Sequence, residues 1–122
     1  MFKCMSTYPA PPDEMNLRTI AHLAEAFDAP TGLSDHTLVI TVPVAAVTLG
    51  ACIAEKHFTL SRDVHSPASA FSLEPHEFKT MVEAIRVAEK ALGKVSYEIT
   101  EKQKSQSSVS QVTFCCERYK RG

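Results

Sequence analysis

The sequence has no tryptophan, only four cysteines and a formal net charge of -1. The cysteines, at positions 4, 52, 115 and 116, lack the spacing of a zinc site or of a disulfide framework. The near-neutral charge argues against nucleic-acid binding, which normally needs a clustered basic excess. The longest apolar run, residues 42–53, is interrupted and too short to span a membrane, and no secretory signal opens the sequence. We therefore expect a cytoplasmic protein that binds neither nucleic acid nor membrane.

Three short candidate strands alternate with candidate helices along 122 residues, the length of at most one ordinary domain. The strands are expected at residues 2–5, 31–34 and 51–55. Alternation at this spacing is typical of βαβ units and predicts an α/β fold built on parallel strands. Cys4 and Cys52 fall in two of these strands, where we expect them to be buried as small apolar side chains.

Apolar residues at helical spacing predict three helices. The first is expected to follow an N-cap at Asp13 and to end at Pro30, and the second spans residues 42–49. The third begins at Pro75 and ends at Gly93. The apolar stripe of this third helix is expected to face the core: Phe78, Met81, Val82, Ile85, Ala88 and Leu92.

Side chains capable of chemistry lie at the ends of the candidate strands. Ser34 and His36 are spaced i, i+2, as are Glu55 and His57, so each pair shares one face of an extended chain. Because the carboxyl ends of parallel strands meet at one edge of a sheet, the two imidazoles are expected to converge. Imidazole is the commonest protein ligand for transition metals, so we hypothesise a divalent metal held by His36 and His57. The alternative is two unrelated loop histidines.

Three βα units fall short of a complete (β/α)8 barrel, which needs roughly 200 residues or more. Three parallel strands alone would leave open sheet edges and exposed helix-facing surface. The sequence therefore predicts part of a larger architecture.

Five segments carry a resemblance to a known family. They are CMSTYP at 4–9, NLR at 16–18, GLSDHT at 32–37, EKHFTLSRD at 55–63 and FSLEP at 71–75. In this order and spacing they resemble the sialic acid synthase family, the N-acetylneuraminate synthase-like proteins, and are most similar to its pseudaminic acid synthases. The resemblance implies that residues 1–104 form the last three βα units of a (β/α)8 TIM barrel, an incomplete barrel with parallel strands.

The resemblance also implies a reaction. Members of the family are homodimers that condense phosphoenolpyruvate with an N-acetylated aldose to make a nine-carbon, sialic-acid-like sugar. A divalent metal, Mn2+ or Mg2+, acts as a Lewis acid on the aldehyde oxygen of the open-chain sugar. The enol carbon of phosphoenolpyruvate attacks that carbonyl, water adds to the resulting cation, and phosphate leaves.

Five residues take site roles when the family's motifs are carried over by position. His36 and His57 are similar to the family's two metal ligands. Ser6 and Ser34 resemble contacts to the phosphate, for which hydroxyl groups are suitable neutral donors. Tyr8 resembles a residue of the sugar pocket. The implied catalytic residues are Tyr8, His36 and His57.

The chain departs from the family pattern at several positions. Where the family usually reads Pro-Gly-Pro-Asp, this chain has His65-Ser66-Pro67-Ala68. Ala68 cannot accept the hydrogen bonds that the aspartate accepts from the sugar, a loss that typically costs a few kcal/mol in binding or rate. Met5 stands where the family usually has threonine. The strands that supply a lysine and a further serine for phosphoenolpyruvate are missing.

The tail, residues 105–122, departs most. The family usually continues after position 104 with a segment of the Arg-Arg-Ser-Leu-Phe type. Suitable codons for QSSVSQVTFCCERYKRG, read one nucleotide later, can give SRRFRRSLFVVKDIKE, which is the expected family sequence. We hypothesise a frameshift near Ser105, and the alternative is a natural variable tail. If the tail is frameshifted, Cys115 and Cys116 have no functional meaning.

The favoured interpretation is a fragment of a pseudaminic or sialic acid synthase. Three alternatives stay open: a catalytically inactive remnant, a small metal-binding α/β protein, and a piece that complements a separately encoded half barrel.

Overall fold

A computed structural model describes residues 1–64 and 66–104 of the chain. His65 and the tail for which a frameshift is hypothesised lie outside these residues. The strands are β1 (Phe2–Cys4), β2 (Gly32–Asp35) and β3 (Ala54–Lys56). The helices are α1 (Thr19–Phe27), α2 (Thr41–Thr48), α3 (Pro75–Leu92) and α4 (Glu101–Lys104). The alternation of strands and helices predicted from the sequence is therefore confirmed.

The three strands form one parallel sheet in the order β1-β2-β3. Ser34 of the central strand pairs with Cys4 on one side and with Glu55 on the other. Within the described ranges, the outer edges of β1 and β3 have no strand neighbour. Phe2 of β1 and Ile53, just before β3, are about half exposed. The sheet is open, as expected for part of a barrel.

The hydrophobic core lies where α1 and α2 cover the sheet. Ile20 is the buried residue of α1, and Leu33 of the central strand is fully buried. On α2, Val42 and Ala46 are one helical turn apart and share the face that packs against the sheet. The buried members of this core are Ala10, Met15, Ile20, Leu33, Val42, Ala46 and Ala51. The core therefore rests on the βα units that the sequence predicts.

The boundaries of α1 differ from the sequence prediction. Asp13 lies in a separate turn of 3-10 helix, Pro12–Glu14, and does not cap α1. Asn16 has a positive φ of 47°, which interrupts helical geometry before Thr19. The helix ends at Phe27, because the next residue, Asp28, has a φ of 45°, and it therefore stops before Pro30 is reached. Asparagine and aspartate enter the left-handed region more readily than other non-glycine residues, so these two positions set the limits of α1.

Two burial predictions are also wrong in part. Cys4 and Cys52 are exposed, because Cys4 lies on an edge strand and Cys52 lies in the turn before β3. In the apolar stripe of α3, Met81 is buried against α2, whereas Val82 and Leu92 are exposed. The stripe therefore contributes less core than its periodicity predicts.

The start of α3 is stabilised by polar contacts as well as by Pro75 in its first turn. Glu74 and Glu77 form a reciprocal capping box. Arg62 adds a backbone hydrogen bond to the Glu74 carboxylate at 2.8 Å and an ion pair to Glu77. The backbone N–H of Glu74 and the Arg62 guanidinium hold the pKa of Glu77 below its usual value, despite partial desolvation. The helix ends at Gly93, where φ is 50°.

No helix in the described part of the chain is both long enough and apolar enough to cross a membrane.

Candidate functional site

Four rings form a cluster at the carboxyl ends of the three strands. The His36 and His57 rings, which follow β2 and β3, have centroids 5.2 Å apart. The Tyr8 ring, from the loop after β1, lies 4.3 Å from His36 and 5.8 Å from His57. Phe71 closes the cluster, 5.2 Å from Tyr8 and 5.0 Å from His57. The structure thus brings together the three residues that the resemblance implies are catalytic.

His36 is buried and its ring orientation is defined by one hydrogen bond. Its Nδ1 atom lies 2.7 Å from the backbone carbonyl oxygen of Met5. Because a carbonyl oxygen can only accept, Nδ1 must carry the proton in this contact. In the neutral ring, Nε2 then keeps its lone pair for a ligand. The backbone carbonyl of His36 in turn accepts from the amide of Ala10 at 2.9 Å, which ties the β2 end to the Tyr8 loop.

His57 is partly buried, and the backbone from its carbonyl to Thr59 pairs with the segment before α3. The amide of Leu73 donates to the His57 carbonyl at 2.9 Å, and the amide of Thr59 donates to the Leu73 carbonyl at 3.0 Å. The ring of Phe71, two residues before Leu73, meets the His57 ring at an interplanar angle of 88°. In the sequence, Phe71 is only the first residue of the FSLEP motif, and nothing there indicates a place in the site. A strand-like pairing beside His57 is the feature that places it in the site.

The serines assigned to phosphate contacts lie in different surroundings. Ser34 is buried, and its hydroxyl donates to the Glu55 carboxylate at 3.2 Å. This contact is consistent with the i, i+2 placement of each residue before a histidine, and Glu55 is therefore a site neighbour that the motifs alone do not identify. Ser6 is exposed, and its hydroxyl lies 3.9 Å from the sulfur of Cys4. Ser6 can therefore donate to a ligand directly, whereas the Ser34 hydroxyl would first have to leave Glu55.

A buried ion pair on the opposite face of the sheet was missed from the sequence. The ammonium group of Lys56 donates to the Asp35 carboxylate at 2.6 Å and to the Thr37 carbonyl at 2.5 Å. The other Asp35 oxygen accepts from the Thr37 amide at 2.9 Å. The signal was available, because each charged residue immediately precedes a site histidine and therefore points away from it.

The two imidazoles of His36 and His57 are suitable ligands for a divalent metal, but they fill only two coordination positions. When the ring is neutral, the Met5 contact leaves the lone pair of His36 on Nε2, and a second imidazole, His57, lies beside this ring. Two imidazoles leave most coordination positions for water or substrate. Within residues 1–64 and 66–104, no cluster of three or more histidine, cysteine, aspartate or glutamate side chains could hold a metal. The residues present therefore fit a two-histidine site with open positions.

Sequence comparison identifies a family and several named relatives. A sequence model of the NeuB family matches residues 1–97. The pseudaminic acid synthase of Campylobacter jejuni is 49% identical over 100 residues, which cover 82% of this chain and 29% of that protein. The N,N'-diacetyllegionaminic acid synthase of Legionella pneumophila is 45% identical over 93 residues, covering 76% of this chain and 26% of that protein. The chain thus spans less than a third of the length of these relatives.

Structure comparison agrees. The crystal structure of an N-acetylneuraminic acid synthetase from Leptospira borgpetersenii, in complex with citrate, matches with a TM-score of 0.75 and 33% sequence identity. The match covers 85% of this chain and 36% of that chain. It confirms the predicted fold class, βα units with parallel strands from an incomplete barrel. Both the family match and the relatives extend over most of the described residues, and the chain belongs to the NeuB family.

Proposed function

We propose that this chain is the metal-carrying part of a nonulosonic acid synthase, an enzyme that condenses phosphoenolpyruvate with an N-acetylated aldose. The observation that carries the proposal is the pair of strand-end histidines beside Tyr8, with the His36 ring set by Met5. The names of the relatives, pseudaminic acid synthase and N,N'-diacetyllegionaminic acid synthase, support it. Since the chain spans less than a third of their length, other parts of the enzyme would supply the remaining contacts to phosphoenolpyruvate.

His36 and His57 would hold the divalent cation, Mn2+ or Mg2+. When bound, the cation supplies Lewis-acid polarisation of the aldehyde oxygen of the open-chain sugar. The hydrogen bond from Nδ1 of His36 to Met5 would fix the ring tautomer and make Nε2 a more basic ligand for the metal. Burial of His36 keeps competing water away from one side of the site.

Tyr8, Phe71 and the two serines would contact the substrates. Tyr8 is half exposed, so its hydroxyl can donate to or accept from a sugar hydroxyl while its ring packs against His36. Phe71 offers an apolar surface beside it. The exposed Ser6 hydroxyl is suited to donate to a phosphate oxygen, and Ser34 can do so after releasing Glu55. These contacts are neutral, so we assign phosphate charge compensation to other parts of the enzyme.

Ala68 weakens the sugar side of the site. It lies directly before the turn of 3-10 helix Ser69–Phe71 that carries Phe71, and its carbonyl accepts from the hydroxyl of Ser72 at 2.7 Å. Its methyl group cannot accept a hydrogen bond from the sugar. This position favours the second candidate function, a chain that binds a divalent metal but has lost synthase activity. The two candidate functions differ in one respect: the synthase must bind the sugar in an orientation that reacts with phosphoenolpyruvate, whereas the metal-binding chain need not.

A chimeric enzyme separates the two candidates. Residues 1–97 would replace the matching segment of the Campylobacter jejuni relative, and phosphate release would be followed with phosphoenolpyruvate and the aldose. We expect weak activity that rises at least about ten-fold with Ala68→Asp, because one sugar anchor returns. A chimera that also carries His36→Ala is the inactive control. The synthase proposal fails if the folded chimera stays inactive with Ala68→Asp, or if the control is active.

The isolated chain gives a complementary result. Ala68→Asp in the chain alone should yield no measurable product, because the groups that bind phosphoenolpyruvate are assigned elsewhere. Product from that single variant would show that the site is more complete than proposed.

A further inference from the structure

The ion pair between Asp35 and Lys56 lies where the two site histidines leave the sheet. Both charged side chains are almost completely buried, with 0% and 1% exposure. They are direct partners in the register of β2 and β3. Each stands one residue before a histidine, Asp35 before His36 and Lys56 before His57. The pair therefore joins the two strand ends at the level of the site.

The contacts of the Lys56 ammonium group surround His36 along the chain. It donates to the Asp35 carboxylate on one side of His36 and to the Thr37 carbonyl on the other. Asp35 closes the loop by accepting from the Thr37 amide. The residues flanking His36 are thus bound to the strand that carries His57. A shift of either strand end that changed the histidine separation would also strain these contacts.

Stability alone does not account for this arrangement. A buried ion pair is often no more stabilising than well-packed apolar residues of the same volume, because both charges lose their hydration. Successive residues of a strand also alternate between its two faces. Lys56 therefore faces away from the side of the sheet on which the two histidines lie. The pair links both neighbours of His36, Asp35 and Thr37, to Lys56, the residue before His57.

We propose that Asp35 and Lys56 are positioning residues that set the separation of the two histidine rings and keep His36 against Met5. The consequence for metal affinity rests on the proposed function, because it requires that the histidines bind the cation. The consequence for the position and tautomer of the His36 ring does not depend on metal binding. Loss of the pair should let the His36 ring leave the Met5 carbonyl and populate both tautomers.

The test uses the full chain with three variants. Lys56→Met leaves Asp35 unpaired, whereas Asp35→Asn with Lys56→Met removes both charges and keeps an acceptor for the Thr37 amide. Lys79→Met is the matched control, because Lys79 forms an exposed ion pair with Glu83 at 3.8 Å. Ring nitrogen chemical shifts from NMR report the His36 tautomer, Mn2+ titration reports affinity, and urea unfolding reports whether each variant folds cooperatively.

We expect the double variant to fold, to lose the single Nδ1–H tautomer of His36 and to bind Mn2+ about 10-fold to 100-fold more weakly. Lys79→Met should match the unaltered chain in all three measurements. A folded double variant that keeps the single tautomer overturns the proposal, whatever happens to the metal. A third outcome separates the two proposals. If the unaltered chain binds no Mn2+ but the double variant still loses the single His36 tautomer, the metal function is refuted and the positioning role is supported.

The unaltered chain provides a measurement that needs no variant. The ammonium protons of Lys56 should exchange slowly with water and be observable by NMR, because the side chain is 1% exposed and donates to the buried residues Asp35 and Thr37. Those of exposed Lys79 should exchange too fast to be seen. If neither Lys56 variant folds, slow exchange at Lys56 supports the proposal, and exchange as fast as at Lys79 overturns it.

Discussion

The Nδ1 atom of His36 lies 2.7 Å from the carbonyl oxygen of Met5, and this contact joins the end of β2 to the end of β1. It decides the chemistry of the ring, because a carbonyl oxygen can only accept and the ring proton must be on Nδ1. The other nitrogen is then free to bind a ligand, with the rings of Tyr8 and His57 beside it.

Replacing His36 with asparagine separates the structural role of the ring from its binding role. The asparagine amide can still donate to Met5, so His36→Asn should cost less than about 1 kcal/mol of unfolding free energy. His36→Ala should cost about 2 kcal/mol more, because it removes the donor and leaves a cavity. Both variants lose Nε2 and should lose metal binding. Urea unfolding that finds the two variants equally unstable would contradict the assigned hydrogen bond.

Gly32 permits a close approach of the three strands. A Cβ atom at this position would lie 2.7 Å from the carbonyl oxygen of Ile53 and 2.9 Å from the ring of Phe2. That carbonyl accepts from Leu33 at 2.9 Å, so Gly32→Ala must disturb the pairing beside the site. We expect a loss of about 3 kcal/mol.

Gly93→Ala is the matched control for Gly32. Its φ is 50°, but the nearest atom to an added Cβ is 3.9 Å away. The expected loss is about 2 kcal/mol, from backbone strain alone, because residues with a Cβ rarely adopt a φ of 50° with a ψ of -139°. Thermal or urea unfolding in which Gly93→Ala is the more harmful of the two would show that the strands are less close than described.

Glu77 should make the stability of α3 dependent on pH. The Glu74 amide and Arg62 lower the pKa of Glu77 below its usual value near 4.5, so the folded state favours the carboxylate. The stabilisation is fully present above the usual value and is lost as the pH falls through the lowered one. Between about pH 6 and pH 3, Glu77→Gln should therefore lose less stability than the unaltered chain. The exposed Glu83→Gln is the control, and an acid response of Glu77→Gln equal to that of the unaltered chain would refute this origin.

The tail gives a prediction at the level of DNA. We propose that residues 105–122 arise from a frameshift near Ser105. The nucleotide sequence, read one position later, should encode SRRFRRSLFVVKDIKE or a close variant. Codons that encode an unrelated peptide in that frame would instead support a natural variable tail.

Several features of the fold follow from the sequence because they depend on local periodicity. The order of strands and helices, the parallel sheet and the meeting of His36 with His57 all follow from spacing and from the geometry of parallel strands. The ends of α1 could not be placed in this way. They depend on two positive φ angles, at Asn16 and Asp28, that these residue types allow but do not require.

Other features depend on distant parts of the chain. The Lys56 contacts require the register between β2 and β3, which spacing alone does not specify. Phe71 enters the site through pairing of Leu73 beside His57, across a segment with no regular periodicity. The exposure of Cys4 and Cys52 reflects an open sheet edge and a turn, whereas the expectation of burial treated both residues as interior strand positions.

We propose that His36 and His57 together bind one divalent metal. Isothermal titration of the chain with Mn2+ tests it most directly, with His36→Ala and His57→Ala as variants and His22→Ala, an exposed histidine on α1, as the control. We expect one Mn2+ to bind per chain, and we expect this binding to be lost in both site variants and retained in His22→Ala. Binding that both site variants leave unchanged would contradict it.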